Sequence, residues 1–274
     1  SGQACGAQVR GVDLRKPLSK DEITEITQAW AEHHVLAFPD QQITDDDLET
    51  FTQYFGKLND DPFFRPIQGR RYIAAIARHA EEKTAIFAEG WHSDWSFKEK
   101  PPIGTCLKGI IIPPHGGDTL FANQHLAYSN LPAELKEKIE HLTAIHSAVR
   151  AYSPDGLYGK PDPTANSAMQ PIISDEARAT QPHPLVITHP ANGRKAIYGC
   201  FGYTLGIAGM EQKEAEALLI ELHAWQTSEA NVYRHQWREN MLIMWDNRSV
   251  LHRATGGFEG HERLLHRTTI WPAN

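Results

Sequence analysis

The sequence predicts a mainly β protein, with a core of sandwich or jelly-roll type and helices packed outside it. Strand-like apolar runs are short and are interrupted by turns and loops. Helical periodicity appears in only a few blocks, without regular strand–helix alternation. A parallel doubly wound sheet is the weaker reading, because no G-x-G-x-x-G loop accompanies any strand. The 274 residues are 41% hydrophobic and 22% charged, enough apolar side chain to bury a substantial core, and they read as one domain spanning 1–274.

Taken in order, Ser19 to Glu32 predicts an amphipathic helix. Ser19 and Glu22 have capping-box spacing, and Ile23, Ile26 and Trp30 follow near helical period. Val35 to Phe38 is an apolar run stopped by Pro39-Asp40, hence a buried strand. Thr44 opens a second helix with Leu48, Phe51, Tyr54 and Phe55 inward, ended by Gly56. Residues 59–90 mix proline, glycine and charge around one strand-like piece, Tyr72 to Ile76, and are expected to form a long, partly mobile covering segment. Ile103 to Ile112 and Thr119 to Phe121 are strands around the turn His115-Gly116-Gly117-Asp118. A helix is expected after Asn130, with Leu135, Ile139 and Leu142 inward. Residues 151–180 lack periodicity and read as an insertion loop, a second lid segment. Leu185 to Thr188 and Ala196 to Tyr198 pair through Asn192-Gly193. A helix over Glu211 to Ser228 places Leu218, Leu222 and Trp225 inward. Val232 to Trp237, Met241 to Trp245 and Leu264 to Ile270 close the chain as strands.

The formal charge of -7 argues against nucleic acid or an anionic membrane as the main partner. No apolar run is long enough to cross a bilayer, and no charged-then-apolar leader opens the sequence. Three scattered cysteines, Cys5, Cys106 and Cys200, form neither a disulfide framework nor a zinc motif, and fit a reducing cytoplasm.

The chemistry centres on Trp91-His92-Ser93-Asp94-Trp95. In extended backbone, His92 and Asp94 point the same way and offer an imidazole nitrogen and a carboxylate oxygen to one metal ion. His252, in the apolar setting of Val250 and Leu251, is the candidate third ligand. Two imidazoles and one carboxylate leave positions open, which suits Fe(II) oxygenases, and the ligand set fits Fe(II), Mn(II) or Zn(II) better than copper(I). Arg263, Leu265 and Arg267 share one face of an extended strand. Two guanidinium groups inside a barrel call for anions, and arginine suits bidentate capture of a carboxylate.

These residues, His92-Ser-Asp94, His115-Gly-Gly-Asp118-Thr119, Trp245-Asp246-Asn247-Arg248 with His252, and Arg263 with Arg267, resemble the taurine dioxygenase-like family of Fe(II)/2-oxoglutarate oxygenases. The likeness extends through Gly11-Val12-Asp13-Leu14, His189-Pro190 and Gly193-Arg194-Lys195. It implies a double-stranded β-helix core and a catalytic metal centre of His92, Asp94 and His252. It implies Thr119 and Arg263 as the anchors of 2-oxoglutarate, and Arg267 as the residue that meets the anionic group of the prime substrate. The family reaction consumes O2, releases succinate and CO2, and hydroxylates a small organic acid: a carboxylate, aryloxyalkanoate, sulfonate or sulfate ester. A homo-oligomer, dimer or tetramer, is also implied.

Plainer roles stand beside these. Arg267 could pair with a carboxylate such as Asp246, and Trp91 and Trp95 could be packing aromatics rather than walls of the substrate pocket. Arg65, Arg70 and Arg71 read as solvated charges. Ala88 stands where taurine-specific members carry an asparagine, and Gly199-Cys200-Phe201-Gly202-Tyr203 departs from the family pattern; both bear against taurine itself. A zinc-dependent hydrolase on a similar barrel would have no use for the arginine pair, and a non-catalytic jelly-roll binding module would be expected to have lost a ligand.

Overall fold

The computed structural model describes residues 4–160 and 166–273. The N-terminal part runs β1 (Ala7–Gln8), α1 (Lys20–His33), β2 (Val35–Phe38) and α2 (Asp45–Gln53). Both helices begin where their caps dictate. Ser19 and Glu22 exchange the two capping-box hydrogen bonds, and Thr44 and Asp47 do the same. The middle of the chain supplies β3 (Ala74–Arg78), β4 (Gly104–Ile111), β5 (Thr119–Asn123), α3 (Gln124–Asn130), α4 (Ala133–Ile139), β6 (Thr143–Ser147) and α5 (Val149–Tyr152). Then follow β7 (Thr180–Pro184), β8 (Val186–Thr188), β9 (Lys195–Ile197), β10 (Thr204–Ile207), α6 (Gln212–Gln226), β11 (Val232–His235), β12 (Leu242–Asp246), β13 (Val250–Ala254) and β14 (Arg263–Ile270).

The large sheet has the order β1-β2-β12-β4-β14-β3. Its central strands are buried on both faces, so their sequences read as continuous apolar runs rather than alternating ones. Alternate residues still serve different cores. Leu36, Phe38, Leu242 and Met244 pack outward against Ile26 and Trp30 of α1 and Leu48 and Phe51 of α2. Val35, Ala37, Ile243 and Trp245 face inward, toward Phe121 and Val250 of the small sheet β11-β5-β13. Two sheets closing on one inner core make the jelly roll. A third sheet, β10-β6-β7, and the hairpin β8-β9 pack with α3, α4 and α6.

Several elements differ from expectation. The strand expected at Tyr72 to Ile76 lies at Ala74–Arg78, because its register is fixed by pairing with β14. Strands β6, β7, β10 and β13 and helix α3 were not expected. Prolines at 182 and 184 in β7 and the short span of β10 conceal strand character, and β13 lies immediately after a polar turn. Leu142 is partly buried beyond the end of α4, and Trp225 is likewise only partly buried. Residues 59–90 are not a loose cover: Phe63, Phe64, Ile73 and Glu82 are buried. Of the loop expected at 151–180, the start belongs to α5, a 3-10 turn occupies Asp175–Arg178, and residues 161–165 lie outside the described residues. The three cysteines are free and buried, and no helix is long and apolar enough to cross a membrane.

Two outcomes follow. A Cβ on Gly104, at the head of β4, would meet the Trp30 ring at 2.4 Å and the Trp245 carbonyl at 2.7 Å. Gly104→Ala is expected to destabilise the fold by about 2 kcal/mol, the usual scale of overpacking, which lowers Tm by several degrees in a thermal melt. An unchanged Tm would contradict this packing. Separately, burial pushes the imidazoles of His34, His125 and His146 down to about 3, about 4 and about 3, from an ordinary 6.5. Below pH 6.5 an unfolded chain takes up protons that the folded one refuses, so stability present above that pH drains away as it falls toward 4. Equal Tm at pH 7 and pH 5 would count against neutral, buried histidines.

Candidate active site

A pocket lined by His92, Asp94, Thr119, His252, Arg263 and Arg267 opens at one end of the jelly roll. His92 and His252 meet across it through two reciprocal backbone hydrogen bonds: the His92 N–H donates to the His252 carbonyl at 3.0 Å, and the His252 N–H to the His92 carbonyl at 2.8 Å. The backbone is extended at His92 and turns at Asp94, so the expected strand geometry holds only for the first residues of the motif. Asp94 Oδ1 lies 3.9 Å from His92 Nε2 and 3.7 Å from His252 Nε2. One ion about 2.1 Å from each donor spans such gaps. This is the single cluster of three or more metal-ligating side chains among the described residues.

Neighbouring groups aim these donors. His92 Nδ1 is 2.8 Å from the Gly90 carbonyl, so Nδ1 carries the proton and Nε2 is left as the free donor. Thr105 Oγ1 donates to Asp94 Oδ2 at 2.5 Å, leaving Oδ1 for the cavity. Thr105 in turn accepts from Asn247 Nδ2 at 3.1 Å, and Asn247 Oδ1 accepts from Trp245 Nε1 at 2.9 Å. Burial, aided by repulsion from His92, pushes the His252 imidazole down to about 3, and burial lowers His92 as well. Both rings are therefore neutral, the ligating form. Burial works against the Asp94 carboxylate, but His252, Arg267, His92 and the Thr105 bond hold it below the ordinary range.

Arg263, Leu265 and Arg267 share the inward face of β14, as its spacing predicts, and both arginines line the cavity. Their surroundings differ. Arg263 is 6% exposed, and among the described residues no carboxylate lies within ion-pair distance of it. Its Nη2 donates to the Gly117 carbonyl at 3.1 Å, its Nε has no partner, and burial pushes the guanidinium down to about 10. A buried charge without its partner costs roughly 3–5 kcal/mol, so the arrangement calls for an anion. Thr119 stands in the same part of the cavity, its Oγ1 accepting from Trp237 Nε1 at 2.9 Å, which frees its own proton to donate inward. The tight turn that sets Thr119 needs glycine at 116: φ is +69°, and a Cβ would sit 2.3 Å from the Gly257 carbonyl.

Arg267 is paired, but with Asp61 and not with Asp246. Asp246 is consumed by His189 Nε2 at 2.9 Å and by Arg248, a buried lock at the end of β12. The Arg267 guanidinium lies over the Trp95 ring at 4.8 Å and the Phe64 ring at 5.4 Å. Trp95 thus walls the cavity. Trp91 does not line it; the ring faces the outer vestibule under Arg253. Ala88 lines cavity and vestibule, in left-handed backbone at φ +60°, with its carbonyl held by the Ala254 N–H. Arg70 and Arg71 pair with Asp46 and Asp60 on the surface, and Arg65 is exposed. His266 faces away and bonds Asp45. Sequence reasoning missed Asp61, Phe87, Thr105, Tyr152, Tyr203 and Asn247. Two of them carried a signal: Asn247 as part of the Trp245-Asp246-Asn247-Arg248 block, and Tyr203 at the end of the Gly199-Cys200-Phe201-Gly202-Tyr203 stretch.

The arrangement matches known proteins along nearly its whole length. The sequence model of the taurine catabolism dioxygenase TauD, TfdA family fits residues 1–269. The alkylsulfatase of Acinetobacter baylyi is 32% identical over 267 residues, covering 97% of this chain and 81% of that protein. The alpha-ketoglutarate-dependent 2,4-dichlorophenoxyacetate dioxygenase of Cupriavidus pinatubonensis is 32% identical over 280 residues, 96% of this chain and 93% of that one. The crystal structure of AAD-2 in complex with Mn(II) and N-oxalylglycine superposes with a TM-score of 0.79 at 29% identity, covering 99% of this chain and 97% of that one. The chain belongs to the taurine catabolism dioxygenase TauD, TfdA family and is a 2-oxoglutarate-dependent dioxygenase.

Proposed function

We propose that His92, Asp94 and His252 hold Fe(II), that Thr119 and Arg263 hold the distal carboxylate of 2-oxoglutarate, and that Arg267 meets the acid group of the prime substrate. The substrate class is a small organic acid: a carboxylate, aryloxyalkanoate, sulfonate or sulfate ester. The observation that carries this reading is the pairing, in one cavity, of a two-imidazole, one-carboxylate face with a buried arginine that has no carboxylate at ion-pair distance among the described residues. Bound Fe(II), O2 and 2-oxoglutarate supply the oxidising chemistry, with succinate and CO2 released and a substrate C–H bond hydroxylated.

The chain's own residues do the positioning. Thr105 and Asn247 fix the Asp94 carboxylate, so one oxygen points into the cavity before any ion arrives. The neutral imidazoles bind metal without first losing a proton. Trp237 turns the Thr119 hydroxyl toward Arg263. Phe87, Trp95, Tyr152 and Tyr203 wall the outer side and exclude water. Trp95 and Ala88 are substrate-side walls in this reading; Trp91 contributes only to the approach. The chain forms one catalytic domain, with 59–90 and the described parts of 151–180, residues 151–160 and 166–180, as covering segments. A homo-oligomer in a reducing cytoplasm completes the proposal. The relatives named as alpha-ketoglutarate-dependent dioxygenases favour this reading over a zinc hydrolase, which leaves Arg263 without a role, and over a non-catalytic module, which would be expected to have lost a ligand.

Succinate formation from 2-oxoglutarate, with Fe(II), ascorbate and O2, tests the assignment against a broad panel of carboxylates, sulfonates and sulfate esters. His92→Ala is expected to abolish it; activity retained in that variant, or none in the unaltered protein with any acid, sinks the reading. Arg263→Lys loses the forked contact and is expected to raise the 2-oxoglutarate KM about tenfold or more, the scale of one charged hydrogen bond. An unchanged KM would remove Arg263 as the anchor.

A further inference from the structure

We propose that Trp245 and Asn247 are positioning residues for the metal centre: acting through Thr105, they dictate which oxygen of Asp94 is offered to a metal ion. The inference rests on the functional reading above, for the metal alone, and deepens it.

The ligand motif cannot hold Asp94 in place by itself. His92 is fixed by its bridge to His252, but the backbone turns at Asp94 and Trp95. Among the described residues neither Ser93 nor Asp94 makes a main-chain to main-chain hydrogen bond. Trp95 follows at φ +45°, left-handed backbone that a bulky side chain resists. Asp94 therefore takes its position from side-chain partners, and these lead to one turn, Asp246-Asn247-Arg248. Ser93 Oγ donates to the Asn247 carbonyl at 2.7 Å. Thr105 Oγ1, which donates to Asp94 Oδ2, accepts from Asn247 Nδ2.

The direction of this chain is set by groups that bond one way only. An indole N–H donates and cannot accept. Trp245 Nε1 lies 2.9 Å from the Asn247 side chain, so the atom facing it is the amide oxygen. The amide NH2 is thereby turned to Thr105 and to the Pro102 carbonyl, which only accepts. Thr105 accepts from Asn247 and has one proton of its own, which goes to Asp94 Oδ2. That oxygen is occupied, and Oδ1 is left to the pocket. A metal ion is offered one oxygen of Asp94 rather than two, which leaves more of its positions open. The Trp245 ring also rests on His252, with centroids 4.7 Å apart, so one side chain serves two of the three ligands.

The turn is anchored from behind. Asp246 Oδ1 accepts the Arg248 N–H at 2.8 Å, and its Oδ2 accepts from His189 Nε2 at 2.9 Å. His189 and Asp246 are both buried. His189 belongs to the connection between β8 and β9, which lines no part of the pocket. The His189-Pro190 and Trp245-Asp246-Asn247-Arg248 motifs thus meet in one support for the carboxylate ligand.

The test is binding of Mn(II) alone, read from the EPR signal of the free ion, with the Tm of the metal-free protein as the check on folding. Thr105→Val keeps the shape and removes the hydroxyl; it is expected to weaken binding about tenfold or more, the usual cost of cutting such a support. Thr105→Ser restores the hydroxyl and is expected to bind nearly as tightly as the unaltered protein. Trp245→Phe and Asn247→Ala are expected to weaken binding as well. Asn247→Ala combined with Thr105→Val is expected to bind no more weakly than the worse single variant, because both cut one chain. Binding unmoved by Thr105→Val, an equal loss in Thr105→Ser, or losses that multiply in the double variant overturns the proposal. Where Asn247→Ala fails to fold, Trp245→Phe decides: normal Tm with unaltered Mn(II) binding overturns it too. Mn(II) binding that His92→Ala abolishes and Thr105→Val leaves alone defeats this inference only; an unaltered protein that takes up no Mn(II) defeats the metal-centre reading with it.

Discussion

The site depends on two backbone hydrogen bonds, the reciprocal pair between His92 and His252. They join segments far apart in the chain at the mouth of the jelly roll. His252 is carried by β13, which pairs with β5 in the small sheet. Asp94 is held by Thr105 of β4, in the large sheet. The three donors therefore converge from both sheets, and the bridge fixes the distance between two of them before any ion binds. An ion there would fasten the sheets at their open end. Because main-chain atoms make the bridge, it survives changes of side chain, which separates the architecture of the centre from the identity of its ligands.

One strand then creates two unlike binding positions. Arg263 and Arg267 share face and chemistry, yet among the described residues no carboxylate reaches ion-pair distance of Arg263, while Arg267 is given Asp61. The first is thus a buried cation with no carboxylate at ion-pair distance, and the second a cation already paired. The difference does not originate in β14. It is imposed by what lies opposite: Gly117, Trp237 and Phe258 around Arg263, and Asp61, Phe64 and Trp95 around Arg267.

This division explains what the sequence disclosed. The capped helices, the apolar central strands and the period-two face of β14 are local properties, legible because cap spacing and burial leave patterns within a few residues. His92, Asp94, Arg263 and Thr119 stand in short motifs, and the structure brings them to one cavity. Strand β13, which carries His252, was hidden by the turn before it. The partner of Arg267 was misjudged because Asp246 is near in sequence to the site but is consumed by His189 and Arg248. Asp61 sits in a segment with no period at all, where only the fold reveals that it reaches Arg267.

The outer wall is the least legible part for a physical reason. Phe63 stacks on Tyr152 and meets Phe97 edge-on; Phe97 meets Tyr203; Phe64 meets Phe87, which meets Tyr158. Each contact joins segments distant in sequence, so no local pattern encodes it. The same interlocking means that no single segment owns the substrate pocket. A change in one covering segment moves rings in the others, and through Phe64 it reaches the guanidinium of Arg267. In the proposed reading, substrate choice falls to this shared aromatic cluster, whereas the proposed metal and 2-oxoglutarate positions stand on the strands beneath it.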